Sequence, residues 1–97
     1  MMGGNEAKRL VLEALRENNF RHEPRDATKN LLASRQITIE EAIEILSATK
    51  GQEMEMSPHH QDRAVSVWVF RPKGWYVKFF FRTKCWFISF HREAQSS

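Results

Sequence analysis

Residues 65–91, VSVWVFRPKGWYVKFFFRTKCWFISFH, decide the fold of this chain. Three segments within it, 65–71, 75–82 and 85–91, are crowded with β-branched and aromatic side chains at a period of two, which is the signature of strands. The breaks between them, Pro72-Lys73-Gly74 and Thr83-Lys84, leave room only for tight turns. Three antiparallel strands in a meander follow. Alternation sorts the side chains into two faces. Val65, Val67, Val69, Val77, Phe79, Phe81, Trp86, Ile88 and Phe90 form a wholly apolar face, expected to pack on helices. Ser66, Trp68, Phe70, Tyr76, Lys78, Phe80, Cys85, Phe87, Ser89 and His91 form a mixed one. A two-residue turn at Thr83-Lys84 sets Arg82 opposite Cys85, Lys78 opposite Ser89 and Tyr76 opposite His91. A phenol, an ammonium, a hydroxyl and an imidazole then gather at one end of the mixed face, with Trp68 and Phe70 alongside.

Upstream, the period changes from two to that of a helix. Asn5 is a candidate N-cap for a helix in which Ala7, Leu10, Val11, Ala14 and Leu15 recur at helical spacing, ending at Asn18 and Asn19. Phe20 opens a polar connector containing Pro24. Asp26 is the next candidate cap, before a short helix with Ala27, Leu31 and Leu32. Thr38 and Glu41 form a capping box ahead of Ala42, Ile43, Ile45 and Leu46, and Gly51 closes this third helix. Residues 52–64 read as a loop or a short edge strand, and 93–97 as a flexible tail. The expectation is therefore one α+β domain over 1–97: a helical layer at 5–51 packed on a small antiparallel sheet of three main strands at 65–92, with the fourth edge strand left open.

Composition narrows the function. The chain has 97 residues, 41% of them hydrophobic and eleven of them aromatic, enough for one core. A lone cysteine, Cys85, makes no internal disulfide. No apolar run approaches the ~20 residues of a membrane helix and no leader pattern precedes a cleavage site, so the expected location is cytoplasmic, without a membrane partner. The net charge of +3 is unevenly spread. Residues 1–58 carry eight Lys/Arg against ten Asp/Glu, whereas residues 59–97 carry seven against two, together with His59, His60 and His91. Either the second half meets an anionic partner, or it is an ordinary solvated basic surface.

Tyr76, Lys78 and His91 suit phosphodiester cleavage in RNA. A base removes the 2′-OH proton, an acid protonates the leaving 5′-oxygen, and a cation stabilises the added charge. Arg63, Arg71, Lys73, Arg82, His59 and His60 are the candidates for phosphate contact, and Trp68 for stacking on a base. The plainer alternative makes Trp68, Phe70, Phe80 and Phe87 a second core face beneath a loop, and Tyr76 and His91 a strand-end pair. No metal is expected: His59-His60, with His22, His91 and Cys85, lacks ligand spacing, and neither Cys-x-x-Cys nor His-Glu-x-x-His occurs. Cys85 lies within a strand among large apolar neighbours, which argues against a nucleophile. No Gly-rich phosphate loop is present, and no small-molecule cofactor is expected.

The order of these segments resembles the motility quorum-sensing regulator (MqsR-type) toxins. Relatives carry a helix like Ile37-Thr38 to Leu46, then a loop ending in Gly-Pro-x-x-Asp, a Trp-Val-Phe strand, a Tyr-x-Lys strand and a terminal Ser-Phe-His or Ser-Phe-Lys. This chain has Ser57-Pro58-His59-His60-Gln61-Asp62, Trp68-Val69-Phe70, Tyr76-Val77-Lys78 and Ser89-Phe90-His91, so the resemblance runs from about Ala27 to Arg92. It implies a RelE-like fold, a metal-independent endoribonuclease that cuts messenger RNA, and a cognate antitoxin that holds it inactive. The family's catalytic tyrosine falls on Tyr76, and its terminal lysine or histidine on His91. Two features depart from it. Glu53-Met54-Glu55-Met56-Ser57 replaces a loop bearing a catalytic lysine, and Ser66-Val67-Trp68 has no glutamine. The alternative is a non-catalytic protein of the same fold that binds protein or nucleic acid through its aromatic face.

Overall fold

The structure, a computed structural model, describes residues 2–24 and 27–93. Among these residues two α-helices, α1 (Gly4–Arg16) and α2 (Ile39–Ser47), lie on one side of a mixed sheet of five strands. These are β1 (Phe20–His22), β2 (Met54–Pro58), β3 (Ser66–Phe70), β4 (Trp75–Arg82) and β5 (Lys84–Arg92), in the order β1-β5-β4-β3-β2. The expected three-strand meander is the centre of this sheet, and two short strands complete it. β2 is the edge strand suggested by the alternation at Gln52–Met56. β1 is new: Phe20-Arg21-His22, read as connector, runs parallel to β5 and uses its free edge. Three residues carry too little pattern to announce a strand; their pairing comes from β5.

Both helices start for legible reasons. α2 has the expected capping box: the Glu41 amide donates to Thr38 Oγ1 at 3.0 Å, and the Thr38 amide to the Glu41 carboxylate at 2.8 Å. It ends at Ala48 rather than at Gly51, which opens a separate 3-10 turn. α1 is capped by the Gly3 backbone and not by Asn5, and it buries Ala7, Val11, Leu12, Ala14 and Leu15. Asn18, at φ 55°, takes the left-handed conformation that turns the chain out of α1.

The expected short middle helix does not form. Its proposed cap Asp26 lies outside the described residues, as does the proposed tail beyond Glu93. Ala27–Lys29 is a single 3-10 turn, after which Asn30 bridges to Phe90 and the Leu31 amide donates to the Phe90 carbonyl at 2.7 Å. Asn30 is buried, and its side chain accepts from the Ala33 amide at 3.0 Å while its amide nitrogen meets His22 Nδ1 at 3.1 Å. Such local side-chain bonds compete directly with helix formation.

The main core lies between helices and sheet. Phe70, Val77, Phe79, Phe87 and Phe90 are fully buried there with Val11, Leu15, Ala42 and Leu46. A smaller cluster, Val67, Phe80 and Ile88 with Val65 and Trp86, occupies the other face. The expected sorting of faces holds for β4 but is inverted along β3 and through Cys85–Ile88 of β5. Trp68 and Phe70 point to the helices, Val67 away; Cys85 and Phe87 point in, Trp86 and Ile88 out. Alternation states which residues share a face, but both alternatives on β3 are apolar, so the larger aromatic pair took the larger core. Among the described residues no helix is long and apolar enough to cross a membrane.

Candidate nucleic-acid interface

The face turned away from the helices carries the candidate site, and its register depends on two offsets that cancel. The β4–β5 turn is tighter than expected: Arg82 pairs with Lys84 and Phe81 with Cys85, which leaves only Thr83, at φ 60°, between the strands. A bulge at Lys78/Phe79 then shifts the pairing by one, since Phe79 pairs with Phe87 and Lys78 with Ser89. The extra residue, Ile88, restores the register from Lys78 onward. Lys78 faces Ser89, and Tyr76 faces His91, as the sequence reading expected. The bulge also reconciles two halves of β5, because Phe87 and Phe90 can both enter the main core only if alternation is broken between them.

Tyr76 and His91 stack, with ring centroids 5.2 Å apart and planes at 21°. Both are half-buried. His91 Nδ1 lies 2.8 Å from the Arg92 carbonyl, which can only accept, so Nδ1 carries the proton. In the neutral ring, Nε2 is left as the free lone pair. The Tyr76 ring also meets the Arg71 guanidinium, 5.3 Å from its centroid.

Lys78 stands one strand step from Tyr76. With Ser57, Pro58, His59, His60, Val67 and Ile88 it lines a small pocket of about 110 Å³. It has no carboxylate partner among the described residues. Beyond it, the loop after β2 folds over the second core. His59 is buried, edge-on to Phe80 at 5.1 Å, and stacked on the exposed His60 at 5.0 Å with planes at 9°. The Gln61 amide donates to His59 Nδ1 at 3.1 Å, which turns Nε2 towards Glu23 at 3.9 Å.

The charge candidates divide sharply. Arg71 is bound by Glu55 and, at 3.4 Å, by Glu93. Arg82 is bound by Asp62 at 2.6 Å. Arg63 is exposed on the loop and Lys78 is half-buried on the face, both without an acidic partner among the described residues. Lys73 sits at φ 48° in the turn before β4 and borders a cleft with Glu44 and Ile45 of α2 and its C-cap Ala48, so it lies on the helix side, away from Tyr76. Trp68 is a correction: it is 6% exposed in the main core, edge-on to Phe70, and offers no surface to a base. Phe70 and Phe87 are core as well. Sequence reasoning missed Glu23, Glu55 and Glu93. The Glu55 partnership follows from β2, which the polar–methionine alternation at 52–56 did suggest.

Cys85 is buried, and burial pushes its thiol far above the ordinary range, which keeps it protonated and inert. Burial lowers the pKa of His22. Among the described residues, no group of three or more His, Cys, Asp or Glu side chains is placed to hold a metal ion. Comparison with protein-family models, curated proteins and solved structures yields no match.

Proposed function

We propose that this chain is the toxin of a toxin–antitoxin pair, a metal-independent endoribonuclease that cuts messenger RNA in the cytoplasm and is restrained by a cognate antitoxin. The observation that carries the reading is the Tyr76–His91 stack on the face opposite the helices, with His91 Nε2 unpartnered among the described residues and Lys78 one strand step away. His91 Nε2 takes the 2′-OH proton, and the oxygen attacks the adjacent phosphorus. Lys78 offsets the charge that builds on the phosphate oxygens, and the Tyr76 hydroxyl donates to the leaving 5′-oxygen as its bond to phosphorus breaks. The products are a 2′,3′-cyclic phosphate and a 5′-hydroxyl. Each step is proton transfer or charge stabilisation by side chains, so none requires a metal.

A second reading has its own support. Glu55, Glu93 and Asp62 neutralise two of the expected phosphate-binding arginines, which suits a non-catalytic binding protein of the same fold. Induced expression in a bacterial host, followed by mapping of RNA ends, separates the two. The nuclease reading expects new 5′-hydroxyl ends and growth arrest that His91→Ala abolishes. RNA that remains intact while the protein binds it supports the second reading.

A further inference from the structure

His60 presents one ring face to solvent and rests its other on His59, in a loop fixed at several points. The His59 amide donates to the Val65 carbonyl at 2.8 Å, and the Val65 amide to the Asp62 carbonyl at 2.9 Å. The Ala64 amide donates to the Asp62 carboxylate at 3.1 Å, and that carboxylate also holds Arg82. His59 is clamped between Phe80, the Gln61 amide and Glu23. A planar ring supported in this way loses little further freedom on meeting a ligand, the usual condition for an effective stacking surface.

Its position relative to the candidate catalytic pair limits what it can take. Tyr76 and Phe80 lie four residues apart on β4, about 13–14 Å at a strand rise of ~3.4 Å. The His59–His60 stack stands over Phe80, and the pocket of Lys78 and Ser57 lies between the two ends. That span is about four times the ~3.4 Å charge spacing along one strand of a duplex. Two neighbouring bases stacked in a helix therefore cannot reach both ends. An extended strand can, with its backbone crossing the Lys78 cation and its bases turned out.

We infer that His60, backed by His59, is a stacking platform for one unpaired base of an RNA strand laid along β4, at the far end of the face from Tyr76. This rests on the nuclease reading for the identity of the strand and adds that the strand is single and extended. Stacking on a ring is tolerant of base identity, so the platform selects for unpaired structure more than for sequence.

The test is fluorescence anisotropy on the full chain with a 2′-O-methyl RNA hexamer, which lacks the nucleophile and stays intact, and with a blunt duplex of the same sequence. His60→Ala is expected to weaken hexamer binding about five- to hundredfold, the range of one base–aromatic stack, while His60→Phe restores most of it. The duplex is expected to bind weakly and equally to wild type and His60→Ala. Unchanged hexamer affinity in His60→Ala, or His60→Phe as weak as His60→Ala, overturns the platform. If either result accompanies cleavage of ordinary RNA that His91→Ala abolishes, only the platform falls. A wild-type chain that binds no single strand overturns the platform and the nuclease reading together.

Discussion

The rings of Tyr76 and His91 stack 5.2 Å apart although the turn joining their strands starts one residue out of the expected register. Ile88, the additional residue in the bulge, brings them back into opposition. If this pair does the chemistry, His91→Ala lowers cleavage by about 10²–10⁴-fold, the contribution of a positioned acid or base. Tyr76→Phe, which removes only the hydroxyl, falls comparably. Thermal melting should change little in either variant, so rate and stability separate catalysis from packing.

The bulge itself can be removed. Deleting Ile88 leaves Phe87 opposite Phe79 and Ser89 opposite Lys78 in regular pairing, so Tyr76 still faces His91. We expect the deletion variant to keep cleavage while losing about 1.5–3 kcal/mol, the worth of one buried isoleucine. Denaturant unfolding measures the loss. Abolished cleavage in a folded deletion variant would mean that bulge geometry, beyond register, places the pair.

Charge pairing predicts unequal effects of the basic residues. Lys78→Gln should lower the slope of log affinity against log salt by about one, as for one lost phosphate contact. Arg71→Gln and Arg82→Gln should change it less, because Glu55 with Glu93 and Asp62 already occupy those guanidiniums. Titrations of single-stranded RNA binding across a salt series decide this.

Trp68 is expected to act through the core alone. Trp68→Ala should cost about 3–5 kcal/mol of stability, as large-to-small core substitutions do. The folded fraction should bind RNA with wild-type affinity, measured well below the variant's unfolding temperature.

His22 links stability to pH. Burial lowers its pKa from the ordinary 6.5, and its Nδ1 already faces the donor Asn30 Nδ2, so the fold prefers the neutral ring. The unfolded chain takes up the proton first. The His22 contribution is therefore intact above about pH 6.5 and is lost as pH falls below it towards the folded pKa. His22→Gln should flatten the decline in melting temperature between pH 7 and pH 5 relative to wild type.

The chain's local chemistry was legible in one dimension. The Thr38–Glu41 box, the helical stripes of α1 and α2, and the period-two runs of β3, β4 and β5 each depend on neighbours within a few positions, where sterics and hydrogen bonding act directly. The opposition of Tyr76 and His91 was legible too, although its assumed turn was wrong and a bulge corrected it. The tertiary structure decided what depends on distant partners. β1 exists because β5 has a free edge, and Trp68 rather than Val67 faces the helices because both faces of β3 are apolar and the main core had the greater volume to fill. Arg71 and Arg82 look like free cations in the sequence, yet each meets its acid across the fold, from strand β2, from the end of β5 and from the loop at Asp62. A charge's partner is set by the folded path of the whole chain, and no local pattern encodes it.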